Sequence, residues 1–110
     1  MTDISQVNEL DDAKFVGFVG KNRLALVDFY ADWCGPCQAL KPVIEKLSGE
    51  MKGKVAFGKV NVDHNRETAG KYGIMSIPTL IIFKDGKLVD RLVGAMPAET
   101  IKKRLVRFTE

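Results

Sequence analysis

The chain's two cysteines, its only ones, stand three residues apart in the run Trp33-Cys34-Gly35-Pro36-Cys37. Just before it lies an apolar stretch, Leu24-Ala25-Leu26-Val27-Asp28-Phe29-Tyr30, and just after it a stripe of Leu40, Val43, Ile44 and Leu47. The stretch reads as a strand apolar on both faces, as at the centre of a parallel sheet covered by helices. The stripe has the i, i+3, i+4, i+7 spacing of a helix that packs one face on such a sheet. A strand, a two-thiol turn and a helix in direct succession point to an α/β layer arrangement.

Two thiols at C-x-x-C spacing beside this pattern read as a redox motif, or else as a structural disulfide. Closure entropy speaks against the staple. A loop of about four residues removes only ~2 kcal/mol from the unfolded state, against ~4.7 kcal/mol for a hundred-residue loop. Pro36 suits the first turn of a helix, where its missing N–H costs nothing. Pro42 falls inside the same helix and predicts a kink. Cys34 then lies at or just before the helix N-terminus, with Cys37 one turn in. Free N–H groups and the positive end of the helix dipole favour a thiolate at Cys34. Placement thus makes Cys34 the nucleophile and Cys37 the resolving thiol.

With 110 residues, 45% of them hydrophobic, the chain is the right size for one domain spanning 1–110, able to fold without disulfides. The net charge of +3 is small and mixed in sign, so a solvated surface is expected rather than a nucleic-acid footprint. The first residues lack the basic and apolar regions of a signal peptide, and no apolar stretch reaches the ~20 residues that span a bilayer. The expected location is therefore the cytoplasm, where a disulfide is usually transient. His64, the one histidine, falls in a polar turn, where a solvated side chain is expected. Zinc would need four ligands, and covalent haem would need His where Gln38 stands, so neither metal nor cofactor is expected.

Ile4 and Val7 suggest a weak edge strand. Asp11 or Asp12 caps a short helix to about Val19, with Phe15, Phe18 and Val19 as its stripe; Gly20 ends it, and Lys21 and Asn22 turn. Asp28 interrupts the first apolar strand. Either the strand ends early there, or the carboxylate is buried; the β-favouring Phe29 and Tyr30 beyond it favour burial. A buried, unpaired carboxyl resists ionisation and becomes an acid/base partner for a dithiol near neutral pH. Lys59 interrupts a second apolar strand, Val55 to Val62, in the same way. It either reaches the surface or pairs with Asp28 and tunes it. A loop and short helix, 63–72, close on Gly73. Ser76-Ile77-Pro78-Thr79 leads into a strand from Leu80 to Phe83, and Asp85-Gly86 signals a hairpin to a partner from Leu88 to Val93. Gly94 ends the hairpin, and Pro97 or Ala98 opens a last helix. Its apolar stripe is Ile101, Leu105 and Phe108, and Lys102, Lys103, Arg104 and Arg107 are mostly on the wet side. Pro78 belongs at a strand start, and on spacing alone a cis bond there is improbable, about one X–Pro bond in twenty.

Over nearly its whole length the chain resembles the thioredoxin family. The residues that carry the resemblance are Val27-Asp28-Phe29, Trp33-Cys34-Gly35-Pro36-Cys37, Pro42, Lys59, Ile77-Pro78-Thr79, Asp85-Gly86 and Val93-Gly94-Ala95. It implies a thioredoxin fold, a central mixed sheet with helices on both faces. It implies that Pro78 is cis and packs against the dithiol, that Asp28 assists proton transfer at Cys37, and that Lys59 lies beside Asp28. Trp33, Gly35, Pro36, Ile77, Pro78, Val93, Gly94 and Ala95 would form the apolar surface that receives a substrate chain, which pairs with the backbone near Ile77 as an added strand does. Two departures stand out: Tyr30, where many members carry a tryptophan, and Ser76, where some carry glycine. Tyr30 is expected to change packing only, and Ser76 to alter partner choice.

The resemblance implies a monomeric disulfide reductase acting on disulfide-containing proteins and recycled by a thioredoxin reductase, with no nucleic acid and no membrane among its partners. Two alternatives are oxidation or isomerisation on the same fold, and a binding module whose thiols are incidental. Gly35-Pro36 between the cysteines resembles the reductase version of the dipeptide.

Overall fold

The computed structural model describes residues 6–109. Nine elements follow one another: β1 (Val7–Leu10), α1 (Asp12–Lys21), β2 (Leu24–Tyr30), α2 (Gly35–Glu50), β3 (Ala56–Asn61), α3 (Arg66–Lys71), β4 (Thr79–Lys84), β5 (Lys87–Val93) and α4 (Ala98–Val106). The five strands form one sheet in the order β1-β3-β2-β4-β5. β3 runs parallel to both β1 and β2, whereas β4 is antiparallel to β2 and to β5. The mixed sheet flanked by helices matches the expected fold.

Alternation along the strands separates two cores. On one face Leu24 and Leu26 of β2, Phe57 of β3 and Leu80 and Ile82 of β4 meet Leu40, Ile44 and Leu47 of α2 and Ile101 and Leu105 of α4. On the other, Val27, Phe29, Val60, Ile81 and Phe83 meet Phe15, Phe18 and Val19 of α1. Phe15 and Tyr72 both lie against Phe83 there, with ring centroids 5.6 and 5.4 Å away. β2 is thus buried on both faces, as its continuous apolar run requires. In the row that begins Leu24, Leu26, the next side chain on the α2 face is Asp28.

β1 starts at Val7, and Ile4 lies outside the described residues. Two helix ends differ from the sequence reading, those of α1 and α4. α1 continues through Gly20 to Lys21, because Asn22 Nδ2 donates to the Phe18 carbonyl at 2.8 Å and satisfies the end of the helix. α2 contains Pro42, as expected, and runs to Glu50, closed by Met51 N–H donating to Leu47 O at 2.9 Å. Phe108 lies beyond the end of α4, in the turn that follows. The hairpin forms where its signal stands: Asp85 (φ 52°) and Gly86 (φ 82°) are both left-handed, the geometry of a tight I′ connection. α1 and α3 hold each other by their first turns. Asp12 Oδ1 accepts from Thr68 N at 2.9 Å, and Asn65 Oδ1 accepts from Asp12 N at 3.0 Å.

Candidate redox site

Sheet register assembles the site. β2 ends at Tyr30 and passes the chain into the dithiol turn at its carboxyl end, the edge where open α/β sheets place their sites. β4 runs the other way, so its start lies beside the end of β2, with Thr79 in register with Phe29. Thr79 is also in register with Val93 at the end of β5. Residues 31–37, 77–78 and 93–95 therefore share one edge despite their separation along the chain. The Ile77–Pro78 peptide is cis. Pro78 O accepts from Gly94 N at 2.8 Å, and Gly94 has φ +95°, a conformation that disfavours a side chain.

Cys34 is the N-cap of α2, and Pro36 is in the first turn. Cys34 and Cys37 form a disulfide. The Cys37 backbone N–H donates to Cys34 Sγ at 3.2 Å, and Cys34 Sγ lies 3.8 Å from the Ile77 carbonyl oxygen. An N-terminal N–H aimed at a sulfur, with the helix dipole behind it, stabilises negative charge there by about 0.3–1 kcal/mol from the dipole alone. That bias favours a thiolate on Cys34 once the pair is reduced. Both sulfur residues are nearly covered, at 4% exposure each. Trp33 beside them is 72% exposed, and its Nε1–H donates to Asp63 Oδ2 at 2.7 Å. Gly35, Pro36, Val93 and Ala95 are exposed, Ile77 and Gly94 half-buried, and Pro78 buried against this edge.

Behind the disulfide lies a cavity of about 90 Å³ lined by Asp28, Tyr30, Asp32, Cys37, Gln38, Lys41 and Lys59. Asp28 is 6% exposed, and its Oδ1 has no hydrogen-bond partner among the described residues. Burial raises its carboxyl pKa to about 7, and the Lys59 charge opposes that rise. Asp28 and Lys59 are neighbours in register, in keeping with their matching interruptions of two strands. The contact is nevertheless different from a buried pair. The Lys59 side chain is 28% exposed, and its ammonium lies 3.6 Å from Glu9 Oε1. Lys59 acts on Asp28 through space while its close partner is Glu9.

Four contributors escape the sequence reading. Lys41 follows Cys37 at i+4 and therefore shares its helix face, a signal that spacing offers. Glu9 and Asp63 are brought in by tertiary contacts from distant segments, and no local pattern marks them. Tyr30 does more than change packing: it lines the cavity next to Asp28, and its hydroxyl donates to Glu9 at 2.9 Å. His64 is exposed. Among the described residues no helix is long and apolar enough to cross a membrane. A larger hollow of about 340 Å³, lined in part by Arg23, Lys54 and Phe108, has neither cysteine in its lining.

Comparison with known proteins agrees with this geometry. The thioredoxin family model matches residues 6–107. The chain is 55% identical to Thioredoxin 2 of Chlorobaculum tepidum over 87 residues, covering 79% of this chain and 80% of the relative. It is 45% identical to a thioredoxin of Synechocystis sp. over 106 residues, covering 96% and 99%. Among solved structures it is similar to a mutant thioredoxin from Halobacterium salinarum, with a TM-score of 0.89, 34% identity, and coverage of 100% of this chain and 96% of that one.

Proposed function

The chain belongs to the thioredoxin family, and from that membership we propose how its own residues divide the work. It is a protein disulfide reductase that works by thiol–disulfide exchange through the Cys34–Cys37 pair. Cys34, as thiolate, attacks one sulfur of a substrate disulfide. The substrate S–S bond breaks, a mixed disulfide forms, and the first substrate thiolate leaves and takes up a proton. Cys37 gives its proton to the Asp28 carboxylate and attacks Cys34 Sγ. The mixed disulfide breaks, the second substrate sulfur leaves as a thiolate and takes up a proton, and the pair is left oxidised by two electrons.

The observation that carries this division is the Cys37 N–H aimed at Cys34 Sγ, while Cys37 shares the inner cavity with Asp28. Lys59 tunes Asp28 by its charge. Gly35 and Pro36 keep the turn short, and cis Pro78 packs against the dithiol. Trp33, Ile77, Val93, Gly94 and Ala95 receive the substrate chain as an added strand at the open edge. The partners are disulfide-bearing proteins and a thioredoxin reductase that restores the dithiol. The working unit is a monomer, a single domain over 1–110, acting in the cytoplasm.

The deciding measurement is the equilibrium potential of the Cys34/Cys37 couple against a dithiothreitol buffer. The expected value is about −270 mV, the figure general to thioredoxins. A value near about −180 or −120 mV would make the pair an isomerase or oxidase instead. Cys37→Ser should trap the mixed disulfide and Cys34→Ser should abolish exchange. Normal turnover by Cys37→Ser would overturn the assigned roles.

A further inference from the structure

Three charged residues stand in one row across the sheet. Glu9 of β1 is in register with Lys59 of β3, and Lys59 is in register with Asp28 of β2. Residues in register on parallel neighbours point to the same face, here the α2 face, with strands about 4.8 Å apart. The cation in the middle therefore has a carboxylate on either side. Its ammonium lies 3.6 Å from Glu9 Oε1, while Asp28 Oδ1 has no hydrogen-bond partner among the described residues. Tyr30 closes the arrangement. Its hydroxyl shares its proton between Glu9 Oε1 and Oε2, each at 2.9 Å, and its ring centroid lies 5.5 Å from Lys59 Nζ. Since β3 lies between β1 and β2, the phenol must cross β3 to reach Glu9, which lays its ring beside the lysine.

The choice of carboxylate follows from solvation. Glu9 is half-exposed at the sheet edge and Lys59 is partly wet, so their pairing strips little water from either charge. Pairing with Asp28 would draw the ammonium into the covered interior, where desolvation opposes it.

We propose that Glu9 and Tyr30 are positioning residues for the dithiol chemistry: they hold the Lys59 ammonium on the edge-strand side and withhold it from Asp28. This rests on the reading of Asp28 as the proton carrier for Cys37. The remaining groups that face Asp28 are Tyr30 and Asp32 from β2 and the turn after it, and Cys37 and Lys41 from α2. From β4 the residue opposite is the apolar Leu80. Lys59 is the one cation in register with Asp28, and which of its two carboxylates it favours sets how readily the acid ionises.

The test follows the Asp28 carboxyl carbon by NMR against pH in the oxidised protein, where neither sulfur titrates. Glu9→Gln releases Lys59 toward Asp28, and the Asp28 midpoint falls by about one pH unit or more. Lys59→Met raises the midpoint, and adding Glu9→Gln to Lys59→Met moves it no further. A fall in the double variant equal to that in Glu9→Gln alone would mean that Glu9 acts on Asp28 directly, and would overturn the proposal; so would no fall in the single variant. Tyr30→Phe keeps the ring and removes the donor, so its midpoint falls less, in the same direction. Should Glu9→Gln fail to fold, Tyr30→Phe decides alone, and an unchanged midpoint overturns the proposal. Failure of the proton-carrier reading looks different: the midpoint moves as expected, but the pH profile of Cys37 resolution does not follow it.

Discussion

Within one exchange cycle Asp28 must take up the Cys37 proton and then release it again, which requires a pKa close to the working pH. Two effects bring it there. Burial penalises the carboxylate and dominates; the Lys59 charge favours it and only partly offsets the burial. The result, about 7, makes both forms available near neutrality. Asp28→Asn keeps the shape and removes the base. Resolution of the mixed disulfide by Cys37 should slow at pH 8 by about 10²-fold, the low end of general-base contributions. The deficit should shrink at pH 5.5, where the wild-type carboxyl is already protonated. Stopped-flow release of the second substrate thiol measures this, and an unchanged pH profile in the variant would exclude Asp28 as the base.

Among the elements, the β4–β5 hairpin and α1 depend on identifiable residues. The I′ turn needs positive φ at Asp85 and Gly86, and a side chain at Gly86 (φ 82°) costs about 1–2 kcal/mol. Gly86→Ala should lower the urea midpoint accordingly without changing the slope, and an unaltered midpoint would show that the turn relaxes freely. Phe15 is 2% exposed and touches the rings of Phe29, Tyr72 and Phe83, so it ties α1 to both the sheet and the segment after α3. Phe15→Ala should cost about 3–5 kcal/mol, read from equilibrium denaturation. These elements are legible because their signals are local: Asp11 Oδ1 caps α1 by accepting from Lys14 N at 2.8 Å, as its position before an apolar stripe suggests. The end of α1 is less legible, because Gly20 does not stop its helix. Asn22 supplies the closing hydrogen bond further along.

For the molecule as a whole, the same buried acid makes stability depend on pH. In the unfolded chain Asp28 ionises near 3.8, and in the folded protein near 7. Between those values the folded state binds a proton that the unfolded state has lost, so stability is highest below pH 3.8 as far as Asp28 is concerned. It declines as pH rises to 7 by about 4 kcal/mol, at 1.36 kcal/mol per pH unit. Asp12 works in the opposite sense. Its pKa is lowered by the hydrogen bonds from Thr68, so its contribution is present above 3.8 and is lost in acid. Guanidinium unfolding at pH 5 and pH 8 should show a clear loss in the wild type and little change in Asp28→Asn. Parallel behaviour of the two proteins would mean that Asp28 ionises in the folded state as it does in the unfolded one.

Sequence alone determined what depends on near neighbours. The period of apolar residues defined strands and helices, Asp85-Gly86 defined the hairpin, and Cys34 and Cys37 marked the chemistry through their spacing at a helix start. An acid inside an apolar strand was legible for the same reason, since Asp28 breaks a pattern that its neighbours keep. Tertiary structure alone decided between the two fates the pattern left open for Lys59, the surface or a pair with Asp28, and brought in Glu9. Glu9, Tyr30, Asp28 and Lys59 come from three strands, and only the order β1-β3-β2 and its register set the lysine between two carboxylates. Its ammonium then lies at the wetter of the two, a balance of solvation against attraction that no local pattern encodes. The Trp33–Asp63 hydrogen bond has the same origin, because it joins residues that only the folded sheet edge brings together.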